Sequence, residues 1–280
     1  MTSASTLLAP IVYRARTDIT AKKMPSGASI WCRNEPLTVE RIEDHVSGKQ
    51  LRGVCPIKEG ESTTQLLVLD LDSHKGETSL RDMVSTAQKI YDAFADIGIH
   101  FESFYSSGGR GVHMIAIWDD PQDAYSVRHL AADILDSIGF KNGTGGVAKG
   151  EVEIFPKQNS VPKGGCGNQF ILPYSPKGQP ISEPDWRLSK DVVFVPKPEY
   201  KKAETPLFDA RPDINEAAQA LDSVSPDDYF IWVKMGMALK DAFGDAGFAV
   251  WDSWSSRSEK TTNPTRIRGH RAPRSTTRAR

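Results

Sequence analysis

The sequence predicts an α+β protein: a split βαβ sheet, preceded by an N-terminal α/β unit and followed by a small all-α domain. Four short apolar segments have the length and composition of β-strands. They are residues 65–72, 100–106, 112–118 and 151–156. Apolar residues at helical spacing, in 80–97 and 124–138, lie between the first and second and between the third and fourth strands. The order β-α-β-β-α-β is that of the split βαβ, or ferredoxin-like, motif.

This topology places the first strand between the third and the fourth. Both helices then cover one face of the sheet, and we expect the opposite face to be open. Thr78 is the predicted N-cap of the first helix, and Gly98 is its predicted end. Asp120 is the predicted N-cap of the second helix, with Pro121 in the first turn and Gly139 at the end.

The first 64 residues carry a weaker pattern. We expect strands at 29–32 and 51–57 and a helix at 38–46, which together form an α/β unit beside the main sheet. With the four strands and two helices that follow, this unit makes up one predicted domain, residues 1–191.

The last third of the chain changes in composition. Residues 192–213 are rich in proline and charge, which is typical of a linker. Helical spacing returns in 214–260, where Ser225 is a predicted N-cap and the aromatic residues are expected to form the core of a small helical domain. Residues 261–280 are basic and without apolar periodicity, and we expect them to be a disordered tail that can bind nucleic acid by charge.

The composition is that of an ordinary globular protein, with 280 residues, 39% hydrophobic and 25% charged. The net charge of −1 means that any polyanion must bind at a local basic patch. No segment approaches the roughly 18 apolar residues of a membrane span, and the N-terminus lacks a secretory signal pattern. The cysteines, Cys32, Cys55 and Cys166, are far apart. Their dispersal favours a cytoplasmic protein without a disulfide framework or a zinc site.

Two carboxylates end the first predicted strand. Asp70 and Asp72 point to the same face because side chains alternate along a strand, and they lie about 7 Å apart. A solvated strand end is the simpler interpretation of this motif alone. However, Glu153 of the fourth strand is expected beside them on the open face, and carboxylate oxygens suit Mg²⁺ or Mn²⁺. Asp70, Asp72 and Glu153 are therefore predicted to hold one or two such ions. Glu151 is a weaker candidate.

The segment SSGGRGVH at 106–113 predicts a phosphate site. Backbone N–H groups of a glycine-rich turn, including Gly109, can bind phosphate oxygens. Ser107 can donate its hydroxyl, and Arg110 a bidentate pair of N–H groups. His113 can donate a ring N–H if it lies on the open face, which periodicity does not decide. The alternative is a plain hairpin turn, since glycines in a turn need no ligand.

Three residues beyond the fourth strand are further candidates. Lys157 directly follows this strand and can reach phosphates or a nucleic-acid backbone. Lys163 and Asn168 are weaker candidates for the same contacts. The competing interpretation is solvation, which is usual for a single lysine in a loop.

Together, DLD at 70–72, GRGVH at 109–113 and EIFPKQ at 153–158 resemble the three catalytic motifs of the archaeo-eukaryotic primase superfamily. The resemblance covers about residues 30–175 and is to the primase-polymerases of phages and plasmids, built on a modified RNA-recognition-like palm. The stretch from Trp232 to Lys260 resembles the small helical domain that follows in those proteins. Glu153 stands where many members have aspartate, the zinc-binding element of many cellular members has no counterpart, and no Walker motif GxxxxGK[ST] occurs.

The resemblance implies a nucleotidyl transferase that makes primers, and extends them, on single-stranded DNA from NTPs or dNTPs. It implies two Mg²⁺ or Mn²⁺ ions on Asp70, Asp72 and Glu153, with Ser107, Arg110 and His113 on the incoming triphosphate. A replicative helicase, in the same chain or separate, is the expected partner. Two alternatives remain at this point: a non-catalytic single-stranded nucleic-acid-binding module, and a replication-initiation protein that nicks DNA through a tyrosine.

Overall fold

The computed structural model describes residues 3–198 and 213–258. These form two compact units, divided between Pro198 and Glu199. The predicted tail, 261–280, and most of the predicted linker lie outside the described residues. Within the described residues, no helix combines the length and the apolar character that crossing a membrane requires.

The first unit begins with a four-stranded antiparallel sheet of strand order β2-β1-β3-β9. Its elements and the two helices beside it are α1 (Ala4–Val12), β1 (Arg16–Lys23), β2 (Ser29–Cys32), α2 (Val39–Val46), β3 (Arg52–Cys55) and β9 (Phe170–Ile171). The predicted strand at 29–32 and the predicted helix at 38–46 are present. Helix α1 and strand β1 were not predicted, because β1 alternates charged and small residues and offers no apolar run.

The second sheet follows in the chain and has the order β5-β6-β4-β8-β7. Its elements are β4 (Thr63–Leu71), α3 (Leu80–Ala95), β5 (Phe101–Tyr105), β6 (Val112–Asp123), α4 (Ala124–Ser137), β7 (Lys141–Asn142) and β8 (Glu151–Phe155). Strand β4 pairs antiparallel with both β6 and β8. The predicted split βαβ is therefore confirmed, with the short β7 added at one edge.

Each face of β4 is buried in a different core. Leu67, Leu69 and Leu71 pack in one cluster with residues of α3 and α4, as the alternation predicts. Leu66 and Val68, on the other face, pack against the N-terminal unit. The expectation of an open second face was therefore wrong over most of its length. Burial of the Leu66 and Val68 side chains removes apolar surface from water. Only the C-terminal end of β4 remains available for a polar site.

The two helices of the second sheet begin later than predicted. Ser79, and not Thr78, caps α3, and its Oγ accepts a hydrogen bond from the Asp82 N–H at 3.1 Å. Asp123, and not Asp120, caps α4. The reason is that β6 continues to Asp123, which pairs with Thr63 beyond an irregularity in the β4–β6 register. Pro121 lies in that irregular part of β6, where the missing N–H breaks no regular ladder.

The second unit contains α5 (Ile214–Ala220), α6 (Tyr229–Phe243) and α7 (Asp245–Ser255). Asp228, and not Ser225, caps α6: its Oδ1 accepts from two backbone N–H groups, 2.9 and 3.0 Å away. Leu221, Leu239 and Trp254 form the buried core. The prediction that all the aromatic residues lie in this core was wrong, since Phe230 is 74% exposed and Phe248 is 53% exposed.

Candidate active site

The strand register brings the predicted site residues together. Asp70 of β4 lies directly opposite His113 of β6 on one side and Glu153 of β8 on the other. Directly opposite residues of antiparallel strands project to the same face. His113 therefore faces the carboxylates, while its neighbours Val112 and Met114 pack in the core under the helices. This arrangement settles which way His113 points, which the sequence periodicity left undecided.

Asp70 and His113 form a buried pair. Asp70 Oδ1 and His113 Nε2 lie 3.3 Å apart, within ion-pair distance, yet neither Asp70 Oδ1 nor His113 Nδ1 has a hydrogen-bond partner among the described residues. Burial disfavours the Asp70 carboxylate, but the facing imidazolium outweighs it and holds the pKa of Asp70 below its usual range. Burial likewise disfavours the charged ring of His113, and Asp70 raises the pKa of His113 above its usual value.

Asp72 lies just beyond the end of β4. Its backbone carbonyl accepts a hydrogen bond from the Val147 N–H at 3.0 Å. Burial, followed by repulsion from Asp70, raises the pKa of the Asp72 carboxyl. Gly111 approaches this strand end so closely that a Cβ there would clash with the Leu71 carbonyl oxygen and lie 3.2 Å from Asp72 Oδ1. The turn that ends with Gly111 is therefore packed directly against the aspartates.

Glu153 is held by a lysine. Lys157 Nζ donates to Glu153 Oε1 at 2.6 Å and lies 4.8 Å from the centre of the Phe155 ring. Lys157 thus lies beside the carboxylates, and its predicted contact with phosphates or a nucleic-acid backbone stays a prediction. Glu151, the weaker candidate, has another partner: its Oε2 accepts from the Gly145 N–H at 2.6 Å and fixes the loop before β8.

The glycine-rich turn between β5 and β6 is closed by Ser106. The Ser106 N–H donates to the Gly111 carbonyl at 2.8 Å, and Ser106 Oγ accepts from the Gly111 N–H at 3.0 Å. Gly109 has a φ of 72°, a left-handed conformation that favours glycine. The Arg110 side chain is exposed. Ser107 Oγ accepts a hydrogen bond from Lys23 Nζ at 2.8 Å.

The loop that carries Lys163 and Asn168 is held elsewhere. Arg33 donates to the Gly164 carbonyl at 2.6 Å, and Arg16 to the Gly165 carbonyl at 2.5 Å. Both arginines belong to the N-terminal sheet region, so the loop packs on that sheet. Lys163 and Asn168 stay candidates without a described contact to the three carboxylates.

Two family models match this chain. The archaeo-eukaryotic primase domain of TOTE conflict systems matches residues 9–180, more than half of the sequence. The primase C-terminal domain PriCT-2 matches residues 215–268. The chain belongs to the archaeo-eukaryotic primase family. The resemblance predicted from the three motifs, and from the helical stretch after them, is thereby confirmed.

The chain was also compared with individual proteins. No curated protein matches the chain. Among solved structures, the polymerase domain of ligase D from Mycobacterium tuberculosis, in complex with DNA, is similar at 17% identity. The match covers 63% of this primase chain and 75% of that domain, with a TM-score of 0.44.

Sequence reasoning missed two residues of the primase site. Ser106 closes the glycine turn, although its neighbour Ser107 was the predicted serine. Lys23 reaches Ser107 from β1, 84 positions earlier in the chain. The serine pair is visible in the sequence, but no local pattern distinguishes Lys23 from Lys22, because the contact depends on how the two sheets pack.

The carboxylates of this primase fit a divalent cation in part. No three His, Cys, Asp or Glu side chains of the described residues are arranged to ligate one ion together. Glu153 is instead paired with Lys157. Asp70 and Asp72 nevertheless fit, since Asp70 Oδ1 is a buried acceptor without a donor and carboxylate oxygens are the ligands that Mg²⁺ and Mn²⁺ prefer.

Proposed function

We propose that the chain is a metal-dependent nucleotidyl transferase that synthesises primers on single-stranded DNA and extends them. The observation that carries the proposal is the register that places Asp70 between His113 and Glu153, beside a glycine-rich turn. Nucleotide transfer requires acids that can hold metal ions and groups that can bind phosphates. In this primase-family sheet both kinds of group lie on one face. A module that only binds nucleic acid would have no use for a group of carboxylates that repels the nucleic-acid backbone.

In this proposal the 3′-hydroxyl of the growing strand attacks the α-phosphate of the incoming nucleotide, and pyrophosphate leaves. Asp70, Asp72 and Glu153 would hold Mg²⁺ or Mn²⁺. An ion held there would supply Lewis-acid stabilisation of the attacking oxygen and of the leaving pyrophosphate. Ser107 and the N–H groups of Gly108 and Arg110 would orient the phosphates, because the Gly109 N–H, a predicted phosphate donor, already donates to the Ser106 carbonyl at 2.8 Å.

The remaining polar residues bind the triphosphate. Arg110 is exposed at the tip of the turn and offers five N–H donors in a planar group, which matches phosphate oxygens. Asp70 raises the pKa of His113, which favours the protonated ring as a donor to the triphosphate. Lys157 can leave Glu153 for a phosphate, because its side chain is long and 33% exposed.

The biological setting is also a proposal. We infer single-stranded DNA as template, NTPs or dNTPs as substrates, a replicative helicase as partner and the cytoplasm of a bacterial host as location, for a phage or plasmid replication protein. The PriCT-2 match supports a role in priming, and the family of the catalytic domain supports nucleotidyl transfer.

The test is a primer-synthesis assay. Purified protein is incubated with primed and unprimed single-stranded DNA, NTPs or dNTPs, and Mg²⁺ or Mn²⁺, and the products are separated by size. The wild type is expected to yield products on both templates. Asp70→Ala/Asp72→Ala is expected to lose activity by about a thousandfold or more, as expected when the ions of a two-metal site are lost.

The matched control is Asp92→Ala/Asp96→Ala, which removes two acids from the exposed end of α3. This variant should stay fully active. Absence of product with the wild type, or equal activity of the two double variants, would refute the proposal.

A further inference from the structure

Lys23 is a cation of the N-terminal sheet that reaches the glycine-rich turn of the other sheet. It is the last residue of β1. Its backbone is fixed on both sides, since its N–H donates to the Leu51 carbonyl at 3.1 Å and its carbonyl accepts from the Gln50 side chain at 3.0 Å. A lysine on such a strand extends its ammonium group from a defined backbone position.

The contacts of Lys23 and Lys22 differ in kind. Lys22 Nζ pairs with the Glu35 carboxylate at 2.6 Å, as a structural lysine does. Lys23 Nζ has one partner among the described residues, the neutral hydroxyl of Ser107, at 2.8 Å. The lysine side chain is half-buried. An ammonium group offers three donors and carries a full charge, so a single neutral hydroxyl leaves two donors unused, and no carboxylate of the described residues lies within ion-pair distance of the Lys23 ammonium.

The charges nearby show where an anion fits. Lys23 is close enough to influence the pKa values of both Asp70 and His113. The nearby acids already face other cations: Asp70 faces His113, and Glu153 faces Lys157. Lys23 instead points to the turn at 107–111, whose N–H groups and hydroxyl suit phosphate oxygens.

We propose that Lys23 binds the β- or γ-phosphate of the incoming nucleoside triphosphate, together with the turn that contains Ser107. The inference rests on the proposed function, because it assigns a further residue to the same triphosphate. It makes the N-terminal sheet a part of the nucleotide site and not only a cover for the back of the palm.

The experiment compares ligands that differ only in the phosphate tail. Binding of dATP, dADP and dAMP to the full chain is measured by isothermal titration calorimetry with Mg²⁺ and without template. Lys23→Met is expected to weaken dATP binding about tenfold or more, the usual loss for one charge-assisted hydrogen bond. Binding of dAMP should be unchanged, and Lys23→Arg should retain most of the dATP affinity.

Lys49→Met is the control. Lys49 belongs to the same unit, is 72% exposed and pairs with Asp44 away from the turn. Lys23→Gln is a second variant, which keeps a donor for Ser107 and removes the charge, so it should behave as Lys23→Met does. If Lys23→Met does not fold, Lys23→Gln tests whether the charge of Lys23 contributes to dATP binding.

The inference is overturned if Lys23→Gln binds dATP as the wild type does, or if dATP and dAMP lose affinity by the same factor. A wild type that binds neither dATP nor ATP, titrated in the same way, would overturn the proposed function along with it. If the wild type and Lys23→Gln bind dATP equally well, only the role of Lys23 is overturned.

Discussion

Lys157 Nζ and Glu153 Oε1 lie 2.6 Å apart, so the third carboxylate of the site is held by a cation of its own chain. Lys157 also lies over the Phe155 ring, which fixes its direction. An ammonium group thus lies next to Glu153, where a divalent ion is proposed. This arrangement makes the lysine and the ion competitors for one carboxylate.

Replacement of Lys157 should therefore tighten metal binding in the absence of nucleotide. Lys157→Met frees Glu153, and the affinity for Mn²⁺ is expected to rise about two- to fivefold, the range of a partly exposed ion pair. Mn²⁺ binding can be followed by electron paramagnetic resonance. Lys163→Met, in the exposed loop, should leave the affinity unchanged. Weaker Mn²⁺ binding by Lys157→Met would contradict the competition.

Loss of the charge of Asp70 and loss of the charge of Asp72 should change the free energy of unfolding in opposite directions. Asp72 is exposed at the end of β4, but partial burial of its carboxyl group and repulsion from Asp70 raise its pKa, so its charged form slightly destabilises the metal-free fold at pH 7. Because solvent screens an exposed carboxylate, Asp72→Asn is expected to raise the free energy of unfolding by no more than about 0.5 kcal/mol. Asp70→Asn removes a half-buried carboxylate that His113 stabilises and should lower the free energy of unfolding by about 1 kcal/mol.

Thermal unfolding in the presence of EDTA measures both effects. Each variant should also lose primer synthesis, so stability and activity are expected to change independently for Asp72→Asn. A loss of stability in both variants would show that repulsion between Asp70 and Asp72 is not significant.

Stability should fall in mild acid because of His45. This residue is fully buried, its Nδ1 accepts from the Arg52 N–H at 3.0 Å, and its Nε2 lies 2.8 Å from the Pro173 carbonyl. Burial lowers the pKa of His45 to about 4. Between about pH 6.5 and 4 the unfolded chain binds the proton and the folded chain does not, so the free energy of unfolding decreases as pH falls.

The full effect is roughly 3 kcal/mol for a shift of this size. It can be measured by urea unfolding at several pH values between 7.5 and 4. His45→Gln should flatten the pH dependence, whereas His129→Gln, which replaces a ring on the exposed side of α4, should leave it as in the wild type. Identical slopes for the wild type and His45→Gln would rule out this residue as the cause.

The glycine turn offers a matched pair of substitutions. A Cβ on Gly111 would clash with the Leu71 carbonyl, whereas a Cβ on Gly108 would have the Ser106 Oγ as its nearest neighbour, at 3.9 Å. Gly111→Ala is expected to lower the free energy of unfolding by about 2 kcal/mol, the typical effect of overpacking, and to weaken dATP binding. Gly108→Ala should change neither quantity. Calorimetric unfolding and dATP titration test both variants, and equal behaviour would contradict the close packing at Gly111.

Much of the second sheet and its site could be predicted from sequence. The apolar segments predicted the strand order, which placed the strand of Asp70 between those of His113 and Glu153. The register, which the sequence did not give, turns His113 toward the carboxylates. The helix starts could not be placed to the residue, because Pro121 favours a helix start on local grounds while the pairing of Thr63 with Asp123 extends the strand past it. A tertiary contact thus overrode a local preference.

The N-terminal part could not be derived in the same way. Strand β1 has charged residues at both ends, and its pairing with β2 and β3 stabilises it. The cover over Leu66 and Val68, and the reach of Lys23 to Ser107, depend on the packing of two sheets. Periodicity reports which side chains share a face, but not what lies above that face.

Strand β4 carries leucines at 67, 69 and 71 on one face and Asp70 on the other. A shift of its pairing by one residue would turn Asp70 into the apolar core and bring Leu69 and Leu71 to the turn. Misaligned molecules would therefore be both unstable and inactive. We expect a single-residue deletion in 65–69 to be among the most damaging changes in the chain, more so than many substitutions of the acids themselves, since it affects assembly and chemistry together.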